Sequence, residues 1–109
     1  MNNREKFQKK IETGNFMHMN GSVLRTLNVI SDSKCCLASL VYALGNIDHD
    51  CLIDSVKYLN LSGYVELTDN ETGKKINFKA DSFDNTTIAL TAKGIQVLRG
   101  AITDDCIEV

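Results

Sequence analysis

Residues 46–64 read NIDHDCLIDSVKYLNLSGY, and the spacing of their apolar side chains decides the fold. Leu52, Val56 and Leu59 recur at helical intervals and form one core-facing stripe. Asp48 stands where an N-cap is needed, and Ile47 before it can pack on Leu52 as a hydrophobic staple. The pattern predicts a helix from about His49, with Gly63 placed to end it. At about 100° per residue the opposite face carries Asp50, Asp54, Lys57 and Leu61, with Tyr58 at its edge.

Upstream, Leu37, Leu40, Val41 and Leu44 fall at i, i+3, i+4 and i+7 before Gly45, which predicts a preceding helix opened by Asp32 and Ser33. Ser22 is a candidate cap for a helix carrying Val23, Leu27 and Ile30. Before it, NREKFQKKIE (3–12) places Phe7 and Ile11 one turn apart among charges. TGN (13–15) is expected to stop that short helix, and FMHMNGS (16–22) reads as a loop or short strand. Downstream, YVELT, INFKA and TTIALT, separated by Asn, Asp and Gly, read as two or three antiparallel strands. A last helix behind a Thr91 cap would set Ile95, Leu98 and Ile102 on one face, and DDCIEV (104–109) reads as a frayed tail.

With 109 residues, 43% of them hydrophobic and 24% charged, the chain suits one domain with one modest core. We expect residues 1–19 as a helical extension, 20–102 as the core and 103–109 as the tail. The N-terminus is polar where a signal peptide needs an apolar run, and no apolar stretch has the length of a membrane span. The expectation is a cytoplasmic protein without a membrane partner.

The segment LASLVYALGNIDHDCLIDSVKYLNLSGYVEL (37–67) resembles the second helix, turn, third helix and wing entry of winged helix-turn-helix bacterial regulators. IALTAKGIQVL (88–98) is similar to the strand-to-helix phrase that closes such domains. The resemblance covers roughly residues 20–100, with Asn46 as one extra turn residue. It implies an α+β winged helix-turn-helix fold, a helical core with an antiparallel wing and an extra N-terminal helix. It also implies a homodimer that binds double-stranded DNA, with the third helix in the major groove and the wing on a neighbouring groove or the phosphates.

Charge complicates that implication. Six basic side chains face three acidic ones in residues 1–34, one faces six in residues 35–73, and five face five in residues 74–109. The third helix thus lies in the acidic third, whereas DNA readers concentrate positive charge over the reading element. The DNA-contact candidates are His49, Asp50, Asp54 and Lys57 on the third helix, with Lys74, Lys75 and Lys79 on the wing. Two outward acids beside phosphates repel them, while lysines on a hairpin tip are commonly plain solvated surface. The alternative is a winged-helix module that binds protein through its acidic third helix, with Tyr58 and Leu61 exposed.

Cys35 and Cys36 fall near the start of the second helix, where a thiol pKa can drop, and His49 lies two residues from Cys51. Some winged-helix metal sensors use such ligands near the reading helix, but their compact Cys-x-Cys signature is absent. Small core hydrophobes are the commoner role for such thiols, so neither metal nor cofactor is expected. No phosphate-cradling loop, nucleophile motif or acid/base pair of carboxylates occurs, which predicts a non-enzyme.

Overall fold

A computed structural model describes residues 2–30, 35–79 and 84–109. The fold is α+β, and its described elements run α1 (Asn3–Ile30), β1 (Cys35–Cys36), α2 (Leu37–Leu44), α3 (His49–Leu61), β2 (Val65–Asp69), β3 (Lys75–Ile76), β4 (Thr86–Leu90) and α4 (Ala92–Leu98). The strands form one antiparallel sheet in the order β1-β4-β2-β3, with Leu67 aligned to both Ile88 and Ile76. The helices pack beside this sheet in a helix-plus-wing layout. No helix among the described residues is long and apolar enough to cross a membrane.

The α3 expectation holds in detail. Asp48 caps the helix by accepting from the Asp50 and Cys51 amides at 2.9 and 3.3 Å, and Leu52, Val56 and Leu59 are fully buried. They share one core with Val23, Leu24 and Leu27 of α1, Leu37 and Leu40 of α2, Val65 and Leu67 of β2, and Ile88 of β4. Leu44 and Ile47 are half-buried against the same core. The helix ends in a Schellman turn: Tyr64 N–H donates to the Leu59 carbonyl and Gly63 N–H to that of Asn60. Gly63 adopts φ +82, a left-handed conformation that costs a residue without Cβ nothing.

Three expectations are corrected here, and one strand is added to them. The helix expected to stop at residues 13–15 and the one expected to begin after Ser22 are a single helix, α1, running through both Gly14 and Gly21. Glycine weakens a helix by only about 1 kcal/mol, and the burial of Met19, Val23, Leu24 and Leu27 outweighs that. Strand β1, missed in the sequence, is two residues long, so it has no alternation to read. Cys36 is consequently both a strand residue and the N-cap of α2. Asp32 and Ser33 lie outside the described residues.

The last helix ends at Leu98, where Gly100 (φ +80) reverses the chain, so Ile102 is not on it. Gly94 and Val97 are its buried face, while Ile95 is exposed. The reason lies in Gly94, where a Cβ would stand 2.3 Å from the Tyr64 carbonyl oxygen, so the helix turns its bare backbone toward the chain that enters β2.

Finally, the tail is not frayed. Ile107 is buried, Glu108 N–H donates to the Met17 carbonyl, and Asn20 Nδ2 donates to the Cys106 carbonyl at 2.9 Å. Arg25 donates to the Glu108 carbonyl at 2.8 Å. Gly21 makes this possible, because any Cβ there would lie 1.7 Å from that carbonyl oxygen.

Candidate nucleic-acid interface

The outward face of α3 divides along its length. Its first half carries His49, Asp50 and Asp54, all exposed. Asp48, Asp50 and Asp54 line a groove with Glu12, Asn15 and Phe16 of α1, where the Cys51 thiol donates to the Asn15 carbonyl at 3.7 Å. The groove is therefore ringed by four carboxylates.

The second half differs. Lys57 is exposed, and its ammonium lies 5.9 Å from the ring centroid of Phe78, on the stretch that follows β3. Lys57, Asn60, Leu61, Asn77 and Phe78 enclose a cleft of about 210 Å³. Lys79, one residue beyond Phe78, is exposed beside it in sequence. The ring quadrupole attracts the ammonium, an interaction worth about 0.5–1 kcal/mol at an exposed site, and so couples the wing to the helix. Lysine and asparagine with free polar atoms are side chains that bind phosphates and base edges.

Of the other wing lysines, Lys75 is tied to Glu66 at 2.8 Å. The hydrogen bond and charge of Glu66 raise its pKa, so its positive charge is already partly matched. Lys74 is exposed at the hairpin tip. There Asp69 accepts from the Glu71 amide and the Thr72 hydroxyl, and Gly73 (φ +72) turns the chain. The structure thus joins Lys57 to the segment that carries Lys79, while Asp54 stands one turn before Lys57 on the same side of α3.

Tyr58 is not the exposed edge residue that helical geometry suggested. Its ring meets Phe16 of α1 edge-on at 5.3 Å, and its hydroxyl donates to Asp104 at 2.5 Å. The Tyr64 hydroxyl donates to the same carboxylate oxygen at 2.7 Å, and the Cys106 amide donates to the other oxygen at 2.8 Å. Burial raises the Tyr58 pKa, helped by the Asp104 hydrogen bond, while that hydrogen bond first and burial second push Tyr64 up to about 12. Burial alone would raise Asp104. The two hydroxyls, the Cys106 amide and the Lys93 charge together outweigh it and hold the carboxyl below its usual range.

The thiols are spread out. Cys35 is buried, which raises its pKa, while Cys36 lies 3.0 Å from the Ser39 hydroxyl, whose hydrogen bond lowers it. Cys51 is raised by burial and by Asp48 and Asp54. Among the described residues no three His, Cys, Asp or Glu side chains group as a metal site.

Sequence reasoning identified Lys57 but missed Asn60, Asn77 and Phe78. Asn60 could have been found, since it lies three residues after Lys57 and shares its side of the helix. Phe78 had only its isolation among polar wing residues as a signal. No protein family, curated protein or solved structure matches the chain.

Proposed function

We propose that this chain is a DNA-binding transcriptional regulator of winged helix-turn-helix type that works as a homodimer in the cytoplasm and has no catalytic role. The observation that carries the reading is the convergence of Lys57 and Asn60 from α3 with Asn77 and Phe78 from the wing. Duplex DNA recognition needs a helix and a neighbouring element that together offer positive charge and polar groups able to reach base edges. The second half of α3 with its wing meets that need, and the acidic first half does not. Lys57 and Lys79 serve as phosphate contacts, with Lys74 at the tip as an outlying one. Asn77 is the candidate base reader. Asn60 donates to the Val65 carbonyl at 3.4 Å, so its amide oxygen remains as the group to meet a base donor.

A second reading rests on Asp50, Asp54 and Leu61, the last 82% exposed. They form an acidic surface with an apolar end, which suits a basic protein partner better than a phosphate backbone.

Replacing Lys57 and Lys79 together by Ala tests the DNA reading against duplexes of mixed sequence. The expected result is uniform weakening across sequences, with the slope of log affinity against log salt reduced by about two. Unchanged affinity and slope would place any DNA contact elsewhere.

A further inference from the structure

The N-terminal stretch of α1 is an arm with no burial of its own. Residues 3–11 are exposed, with Phe7 at 68% and Ile11 at 44%. The arm is nevertheless a finished helix. Asn2 caps it by accepting from the Glu5 amide at 2.8 Å, while the Glu5 carboxylate reaches back to the Asn2 amide. The arm continues the helix that Met19, Val23, Leu24 and Leu27 anchor in the core, so Phe7 and Ile11 are held on a preformed helix that no described residue covers.

Its chemistry specifies the cover. Lys6 and Lys10 are one turn apart and flank Phe7 and Ile11, while Glu5 and Glu12 lie on another side of the helix. On α3, Asp50 and Asp54 are also one turn apart and exposed, with no ion pair to any described residue. Both pairs have a rise of about 6 Å between members, so each lysine can meet one aspartate when the helices lie side by side. The arm cannot fold back onto its own α3, whose Asp50 and Asp54 already share a groove with Glu12, Asn15 and Phe16 of α1. It is continuous with the part of α1 that is locked into the core by Met19, Val23, Leu24 and Leu27.

We propose that two copies of this chain exchange arms, each arm lying antiparallel along α3 of the other copy, with Lys10 on Asp50 and Lys6 on Asp54. The antiparallel sense brings the positive N-terminal end of one helix toward the negative C-terminal end of the other. The two-fold symmetry makes the contact reciprocal. The exchange also changes the DNA face. It neutralises the two acids that repel phosphates, and this register sets Arg4 of the other copy near the level of Lys57. This inference rests on the homodimer proposed above and supplies its interface.

The test is analytical ultracentrifugation of the full chain at low salt. Three proteins are compared, the wild type, a Lys6→Glu/Lys10→Glu variant and an Asp50→Lys/Asp54→Lys variant, each checked for retained helicity by circular dichroism. The wild type should dimerise, and each variant alone should dimerise roughly a hundredfold more weakly, because attraction becomes like-charge repulsion in both contacts. Mixing the two variants should restore a heterodimer, since every arm then faces an α3 of opposite charge. Dimers that ignore both charge reversals, or variants that fail to pair when mixed, would overturn the arm exchange while leaving the homodimer standing. A wild type that stays monomeric at low salt would overturn both.

Discussion

Leu59→Ala should lower the unfolding free energy by about 2–5 kcal/mol, the range for a leucine truncated where its surroundings cannot collapse. The side chain is fully buried on the last turn of α3, in the core it shares with α1, α2 and the sheet. The same turn supplies the carbonyl that receives the Tyr64 amide and sets the chain into β2. Neighbouring helices and strands therefore hold the void open. Urea unfolding followed by circular dichroism measures the change, with the midpoint shifting and the slope preserved. A loss below about 1 kcal/mol would mean that the α3 stripe is not the centre of the core.

Asp104→Ala should cost about 1–3 kcal/mol, because it leaves the Tyr58 and Tyr64 hydroxyls without their acceptor and releases the tail turn at Cys106. The lower end applies where solvent reaches the half-buried Tyr58 and Asp104. The wild type should also carry a pH signature. The Asp104 carboxyl is held below its ordinary pKa in the folded state, so its contribution is complete above the unfolded value and is lost as pH falls through the folded one. The tyrosines give the opposite edge. Their folded pKa values are raised, so stability declines once the unfolded tyrosines ionise near about 10 and continues to fall until the folded Tyr64 ionises at about 12. Asp104→Asn should flatten the acid edge. An acid edge identical to that of the wild type would remove Asp104 from the account.

These two sites mark how far the sequence could be read. Leu52, Val56, Leu59, the Asp48 cap and the Gly63 stop were legible because helix periodicity and capping are local rules that buried neighbours reinforce. Thr91 was legible for the same reason, and its hydroxyl accepts from the Gly94 amide as a cap should. The continuity of α1 was not legible. Gly14 and Gly21 look like stops to any local rule, and the demand for a bare backbone at Gly21 comes from Glu108, 87 positions away. The tail was hidden by the same distance, since a short polar segment shows no sign of the two tyrosines it will meet. In the candidate interface, Lys57 could be named from helical geometry alone. Its coupling to Phe78 depends on how the wing returns across α3, which is a tertiary fact.

The central claim is that the second half of α3 and the wing form a surface for duplex DNA. Its most direct test is a titration of the wild-type chain against labelled mixed-sequence duplex at two salt concentrations, roughly 50 and 200 mM, the range over which counterion release is steep. The account predicts binding at the lower concentration that weakens sharply at the higher, with a slope that reflects a small number of phosphate contacts. No binding at the lower concentration, or binding that salt does not change, would contradict it and favour a protein partner for α3.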